Sequence, residues 1–313
     1  MNYCPSCESN HWQNFRRVKR EKVFQNFKIC KKCLLIRNES CFTQKQLSRY
    51  YKESYNTKNY QADNSIIFNR MLIPSKHRIN ILKNNNFNFL AGQNLLEIGP
   101  GSGSMLHLFS KMGLKIKAIE PDPIAASWLE KYLNITVINK FFNEWVNEKK
   151  NKKIEESFDW IVLTHVLEHI KYPNNFLVDL SKFLSESGKI IIEVPNANNP
   201  YSDGKDWGHL FDPGHFYYFN KKNLSKLIYR SGLKIDFMSD STMRPYKNIL
   251  SVVSINFKEI TSFKLINNKN YAIFKMKALW KIFEIKHFLK EFFFKKPGRF
   301  IKNKMIKFLG GKK

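Results

Sequence analysis

The sequence predicts an α/β protein: a largely parallel sheet wrapped by helices, with a small cysteine-bearing module ahead of it and a basic, helix-forming tail behind. Three observations predict it. From about residue 94, apolar strand-like runs alternate with helical ones, the pattern of a parallel sheet with crossover helices. A glycine-rich turn, Gly99-Pro100-Gly101-Ser102-Gly103, falls where one such strand gives way to a helix. Two C-x-x-C pairs, Cys4-Pro5-Ser6-Cys7 and Cys30-Lys31-Lys32-Cys33, stand near the N-terminus.

Composition bounds what the chain can be. Its 313 residues are 43% hydrophobic and 15% aromatic, which supports a sizeable core and excludes a disordered chain. No run approaches the ~18–20 apolar residues that span a bilayer. The opening Met1-Asn2-Tyr3-Cys4 has no apolar signal region, so the expected compartment is the reducing cytoplasm. There, paired cysteines read as metal ligands sooner than as disulfides. The formal net charge is +27, and residues 256–313 hold 16 Lys+Arg against 3 Asp+Glu, so about half of the excess sits in the tail. Such an excess points to an anionic partner, or to a compositional bias toward lysine.

The cysteines come first in chain order. Zinc takes four tetrahedral ligands, with sulfur at ~2.3 Å. Each C-x-x-C turn can deliver two thiolates, so Cys4, Cys7, Cys30 and Cys33 complete one shell. Four thiolates leave no open position, so the zinc is expected to be structural. Free thiols are the alternative. Between the pairs, Phe15 to Phe27 mixes aromatic, β-branched and basic residues, as a short hairpin would. Cys41 is unpaired and reads as a small core or surface residue.

The sheet follows. Asn94-Leu95-Leu96-Glu97-Ile98 reads as a buried strand, and Met105 to Phe109 opens the next helix. Glycines between them let backbone amides approach a ligand, and the helix N-terminus offers free N–H groups. Ile116 to Asp122 is a second strand. Glu120 near its end lies 21 residues after Gly99, the spacing at which an acidic side chain accepts ribose hydroxyls. A solvated strand-end carboxylate is the competing reading. Ile135 to Ile138 reads as a third strand, Leu224 to Ile228 as a helix, Leu233 to Phe237 as a sixth strand and Leu250 to Phe257 as a seventh.

Four segments in order carry a resemblance: Glu97 to Gly103 (E-I-G-P-G-S-G), Ile119 to Asp122 (I-E-P-D), Phe158 to Ile170 (F-D-W-I-V-L-T-H-V-L-E-H-I) and Gly188 to Asn196 (G-K-I-I-I-E-V-P-N). Over about residues 90–255 the chain resembles class I S-adenosylmethionine-dependent methyltransferases. The resemblance implies a Rossmann-like sheet of seven strands with the last antiparallel. With the cysteine pairs and the basic tail, the chain is expected to divide into a zinc ribbon at 1–45, a linker and helical lid at 46–90, a cofactor-binding methyltransferase domain at 91–257 and a basic aromatic helical tail at 258–313. The resemblance also implies that Glu97, Gly99, Gly101 and Gly103 hold the methionine and ribose of the cofactor. Glu120 would take the ribose hydroxyls with Pro121 beside the adenine, and Thr164 and His165 would line the sulfonium. After the third strand, Asn139-Lys140-Phe141-Phe142 lacks the usual acidic residue, so Phe142 is expected to stack on the adenine instead. Glu168 and His169 are expected to be architecture.

Beyond the fifth strand runs a polar, aromatic loop with Tyr201, Asp206, Trp207, His209, Asp212, Pro213, Gly214, His215, Phe216, Tyr217 and Tyr218. Ligands of open α/β sheets bind past the carboxyl ends of strands, so its histidines are candidates for moving protons. The chain is also similar to sugar C-methyltransferases, whose loop carries a Tyr-x-Glu-His cluster. Here His215 matches the histidine, while Gly214 and Asp212 stand in the glutamate and tyrosine places. That disfavours carbon methylation and leaves His215, aided by His165 and Tyr218, to serve methylation of a sugar hydroxyl. Bracing of the loop by His215 and Tyr218 is the alternative. Tyr50 to Tyr55 and a helix over Ile66 to Leu82 would cover the pocket.

In the tail, Phe274, Ala278, Ile282, Ile285, Leu289 and Phe292 form one apolar stripe flanked by lysines. This suits the inner face of the cytoplasmic membrane, the protein's own core, or RNA. The expected activity is methyl transfer to a small-molecule or lipid-linked glycan acceptor in surface polysaccharide or lipopolysaccharide synthesis. An RNA methyltransferase and a non-catalytic cofactor-binding protein are the alternatives. Thr164-His165-Val166 is not the N/D-P-P-Y/F pattern of enzymes that methylate exocyclic base amines.

Overall fold

The structure, a computed structural model, describes residues 2–20, 23–50, 64–149, 156–198, 214–243 and 246–256. The expectations for Tyr51 to Tyr55, for Tyr201 to Pro213 and for the tail from residue 258 lie outside these residues.

The N-terminal hairpin forms as expected: β1 (Trp12–Arg20) pairs antiparallel with β2 (Val23–Cys30), which pairs with β3 (Ile36–Asn38). A short helix α1 (Gln44–Arg49) follows, started by a capping box between Thr43 and Gln46. Helix α2 (Asn64–Asn84) then leads to the main sheet, two residues longer at each end than the expected helix.

The alternation that begins at residue 94 is β4 (Asn94–Ile98), α3 (Ser104–Lys111), β5 (Lys115–Ile119), α4 (Pro123–Leu133), β6 (Thr136–Ile138), α5 (Phe142–Lys149) and β7 (Phe158–Thr164). After a 3-10 turn at Leu167–His169 come α6 (Pro173–Ser181), β8 (Leu184–Pro195), β9 (Tyr217–Tyr218), α7 (Lys221–Arg230), β10 (Leu233–Met243) and β11 (Tyr246–Ile255). The large sheet has seven strands in the order β10-β11-β8-β7-β4-β5-β6. Its last strand, β11, runs antiparallel to both β10 and β8, while β4 to β8 are parallel. This is the expected Rossmann-like methyltransferase sheet.

Successive side chains point to opposite faces of a strand, and the core obeys this. Leu96, Ile98, Ile161, Leu163, Ile190 and Ile192 pack with α5, α6 and α7. Leu95, Trp160, Val162, Ile191, Leu250 and Val252 pack on the other face with α2, α3 and α4. Full burial of each such side chain is worth about 1.5–3 kcal/mol.

The last two strands are longer than their apolar runs. Strand β10 continues to Met243 and β11 starts at Tyr246, because the backbone ladder persists past the hydrophobic residues (Asp240↔Ile249, Ser241↔Asn248). The added polar side chains find partners there: Asp240 accepts from Asn196 and from Lys221. A second difference bears on the site. The N-terminal sheet has a fourth strand, β9, which pairs antiparallel with β3 (Ile36↔Tyr218, Arg37↔Tyr217) and comes from the loop after β8. Cys4, Cys30, Cys33 and Leu35 share one buried cluster with Phe216, Leu224 and Leu227.

Candidate active site

The cofactor side is built at the ends of β4 and β5. Gly99, Gly101 and Gly103 have φ of 64°, 54° and 75°, a region that side chains other than glycine enter at a cost. A Cβ on Gly103 would sit 2.3 Å from Leu129 Cδ2, and one on Gly99 would sit 3.0 Å from Val166 Cγ2. Gly99 N–H donates to the Ile119 carbonyl at 2.8 Å, which ties the two strand ends together. Gly103 caps α3 without a side-chain hydrogen bond, so the first-turn amides stay open to an anion or a carbonyl.

Two buried carboxylates flank the turn. Glu97 is 2% exposed, and its Oε2 is buried without a hydrogen-bond partner. Burial pushes it up to about 8, the Arg78 charge pulling the other way and Glu120 adding to the rise. Glu120 is pushed up to about 7, again by burial, against the N–H groups of Asp122 and Gly101 that donate to its two oxygens at 3.0 and 3.1 Å. Pro121 is half-buried beside it. Asp122 caps α4 by accepting from Ile124 and Ala125 N–H groups. Open amides, left-handed glycines and an orphaned buried carboxylate oxygen are what a polar, hydroxyl-rich cofactor would fill, so these residues fit S-adenosylmethionine.

Phe142 does not belong to this side, which corrects its expected stacking role. At the start of α5 it is 6% exposed and packs against Phe176, Phe183 and Trp145 at 4.9, 6.2 and 6.0 Å between ring centres. The apolar face of the helix claims it for the core. The polar residue at that place is Asn139, whose amide donates to the Glu120 carbonyl at 2.8 Å.

Past the end of β7 a run of polar side chains begins. Thr164 Oγ1 is buried without a partner. His165 takes φ 57°, and its Nδ1 lies 3.2 Å from Glu168 Oε1 while its Nε2 lies 3.2 Å from Glu193 Oε1. Burial works to lower its pKa, but hydrogen bonds and charges of Glu168 and Glu193 outweigh it and raise His165 to about 9. The ring thus lies between two carboxylates, and Asn248 Nδ2 also reaches its Nε2 at 3.3 Å. Arg78 on α2 bonds Glu193 through Nε at 2.8 Å and Nη2 at 2.7 Å, and Asn248 Nδ2 donates to the same oxygen at 2.8 Å. Burial would raise Glu193, yet the Arg78 charge, with the bonds from His165 and Arg78, holds it down at about 2.

His215 lies on the far side of Glu168. It is 6% exposed, its ring edge-on to His169 at 4.4 Å. One ligand atom from each of Glu168, His169 and His215 lies within 4.8 Å of the others. Glu168 is 1% exposed and its Oε2 has no hydrogen-bond partner, while its carbonyl accepts Phe216 N–H at 2.8 Å. Tyr218 is buried in β9 with its ring between Phe27 at 5.6 Å and His215 at 5.8 Å. It backs His215 against the N-terminal sheet.

Sequence reasoning missed Arg78, Glu193 and Asn248, and passed over Glu168. The i,i+3 spacing of His165 and Glu168 was the one local signal. Arg78 and Glu193 are separated by 115 positions and left none.

The four cysteines converge. Cys4 Sγ lies 3.4 Å from Cys33 Sγ, Cys7 Sγ lies 3.5 Å from Cys30 Sγ, and all four sulfurs fall within 4.8 Å of one another. Two like turns present them. Cys4 N–H donates to the Ser9 carbonyl and Cys30 N–H to the Leu35 carbonyl, each at 2.9 Å. Glu8 and Leu34, the residues just after each pair, take φ of 56° and 65°. Hydrogen bonds with Cys30 push the Cys4 and Cys33 thiols up, and the bond with Cys33 pulls Cys30 down. A tetrahedral zinc at ~2.3 Å from each sulfur needs sulfurs about 3.8 Å apart, so the set fits that ion. Cys41 is half-buried against the same core and is not among the four.

Comparison with known proteins places the chain. The profile of a family described as a methyltransferase domain matches residues 73–236. A mitochondrial ubiquinone biosynthesis O-methyltransferase of Schizosaccharomyces pombe is 23% identical over 108 residues, 34% of this chain and 39% of that protein. Ribosomal RNA small subunit methyltransferase A of Bacillus cereus is 32% identical over 123 residues, 37% of this chain and 42% of that protein. The chain thus spans about two fifths of the length of the curated relatives it matches. A magnesium protoporphyrin IX methyltransferase from Synechocystis, solved with bound SAH, superposes with a TM-score of 0.50 at 12% identity, covering 68% of this chain and 100% of that one.

Proposed function

The chain belongs to the methyltransferase-domain family, and from that premise we propose that it transfers a methyl group from S-adenosylmethionine to a sugar hydroxyl of a small-molecule or lipid-linked glycan acceptor, in surface polysaccharide or lipopolysaccharide synthesis. One observation carries the reading: a glycine turn with two buried glutamates lies at the ends of β4 and β5, and Glu168 in the turn after β7 lies within reach of buried His215. The first fits the cofactor and the second can move a proton.

Glu97, Gly99, Gly101 and Gly103 would hold the methionine and ribose, and Glu120 the ribose hydroxyls with Pro121 against the adenine. The cofactor supplies a methyl group on a sulfonium, open to in-line attack. His215 takes the proton from the acceptor hydroxyl, and the Glu168 carboxylate stabilises the imidazolium that forms. Thr164 and His165 form the wall between the two halves. Positioning of the acceptor supplies most of the acceleration, with general-base help of about 10²–10⁴-fold. The four cysteines hold a structural zinc. The lysine-flanked stripe of the tail supports a place at the inner face of the cytoplasmic membrane, where lipid-linked glycans are assembled.

A second reading, RNA methylation, is favoured by the 32% identity to a ribosomal RNA methyltransferase and by the net charge of +27. One experiment separates them. Purified protein and methyl-labelled S-adenosylmethionine are incubated with nucleotide sugars, lipid-linked glycans, total RNA and protein in separate reactions. Label in a sugar fraction is expected; label in RNA alone refutes the glycan reading.

A further inference from the structure

Arg78, Asn248 and His165 converge on a single oxygen of Glu193. Arg78 Nε and Nη2 reach Oε1 at 2.8 and 2.7 Å, Asn248 Nδ2 at 2.8 Å and His165 Nε2 at 3.2 Å. Arg78 comes from α2, Asn248 from β11 and His165 from the turn after β7, so three elements meet on one fully buried carboxylate, and Asn248 Nδ2 also lies 3.3 Å from His165 Nε2. His165 takes a left-handed φ of 57°, a region histidine enters more readily than most side chains, and its own N–H donates to the Glu193 carbonyl at 2.9 Å. Its other ring nitrogen meets Glu168 Oε1 at 3.2 Å. Glu168 in turn has a histidine, His215, within 4.8 Å and an Oε2 with no hydrogen-bond partner. Side chains in contact therefore run from helix α2 toward His215: Arg78, Glu193, His165 and Glu168. The same helix touches the cofactor turn, since Ser75 Oγ lies 2.9 Å from Ser104 Oγ.

We propose that Glu193 is a positioning residue for methyl transfer: gripped by Arg78 and Asn248, it fixes the His165 ring, which binds one oxygen of Glu168 and leaves the other for His215. This rests on the reading of His215 as the base. A buried ion pair is weak evidence of stability, because well-packed apolar residues can replace it at little loss. What apolar residues cannot do is aim an imidazole. Glu193 is fully buried, so its effect on the reaction passes through His165.

Glu193→Gln keeps the shape and removes the charge. Its kcat for the labelled acceptor is expected to fall roughly ten- to hundredfold, the scale of a small misplacement of a catalytic group. The KM for S-adenosylmethionine and the Kd for S-adenosylhomocysteine are expected to stay within about threefold. In a His165→Asn background the same change is expected to alter kcat less than about twofold, since coupled residues are non-additive. Equal losses in both backgrounds would make Glu193 a structural residue and overturn the proposal, as would an unchanged kcat. If Glu193→Gln folds poorly, the pair Arg78→Met/Glu193→Gln removes both charges and enters the same two-background comparison. A second readout needs no acceptor. In protein with 15N-labelled histidine, the His165 ring-nitrogen shifts are expected to report one fixed protonation state and to move in Glu193→Gln. An unchanged His165 spectrum overturns the proposal. A changed spectrum with label entering no acceptor sinks the base reading while leaving the positioning of His165 in place.

Discussion

Cofactor affinity should strengthen as pH rises from 6 to 9. Burial pushes Glu120 up to about 7 and Glu97 up to about 8, from an ordinary 4.5, so both are largely protonated in mildly acidic solution. Ribose hydroxyls and an ammonium group both donate hydrogen bonds, and an ionised carboxylate is the acceptor they require. A group titrating near 7 is roughly 10% ionised at pH 6 and roughly 90% at pH 8, so binding to its ionised form tightens about tenfold, or about 1.4 kcal/mol. Glu97 carries the rise on toward pH 9. Stability of the empty protein moves the other way. Both folded-state values lie above the unfolded one, so the folded chain gains by holding these protons, and that contribution fades as pH climbs through 7 and 8. Titration calorimetry with S-adenosylhomocysteine at pH 6, 7, 8 and 9, in buffers of different ionisation enthalpy, measures affinity and proton release together. Proton release near pH 7 is expected, and Glu120→Gln should flatten the lower half of the curve. An affinity that is flat, or tighter at pH 6, would show that Glu120 binds in its protonated form and would refute the argument.

Gly103→Val should abolish S-adenosylhomocysteine binding and lower stability by about 2–4 kcal/mol in urea titrations, combining a left-handed φ of 75° with a Cβ placed 2.3 Å from Leu129. Wild-type affinity in this variant would mean that the turn does not hold the cofactor. His215→Ala should leave that affinity unchanged and slow label transfer about 10²–10⁴-fold; undiminished turnover removes it as the base. Elemental analysis should find one zinc per chain, and Cys33→Ser should lose it and melt at lower temperature while still binding S-adenosylhomocysteine, because the cofactor turn shares no strand with the cysteine module. A zinc content that Cys33→Ser leaves intact would place the ion elsewhere.

Sequence alone determined whatever local chemistry dictates. Strand β4, Asn94 to Ile98, was legible to the residue, because an apolar run ending in glycines has few other conformations open to it. Glu120 was legible for the same reason: its spacing from Gly99 is set by one helix and one strand. The two cysteine pairs announced themselves because each sits on a single tight turn. Tertiary structure decided the rest. The apolar face of α5 took Phe142 for the core, since a helix buries the ring that points at the sheet and residue type does not say which one that is. Strand β9 is two residues long and has no periodicity to read; it exists because β3 offers a free edge. Arg78, Glu193 and Asn248 came together beside His165 because a buried charge such as Glu193 requires a partner and the partner can come from anywhere in the chain. Periodicity and turn chemistry are properties of neighbours in sequence, whereas the company a buried charge keeps is a property of neighbours in space.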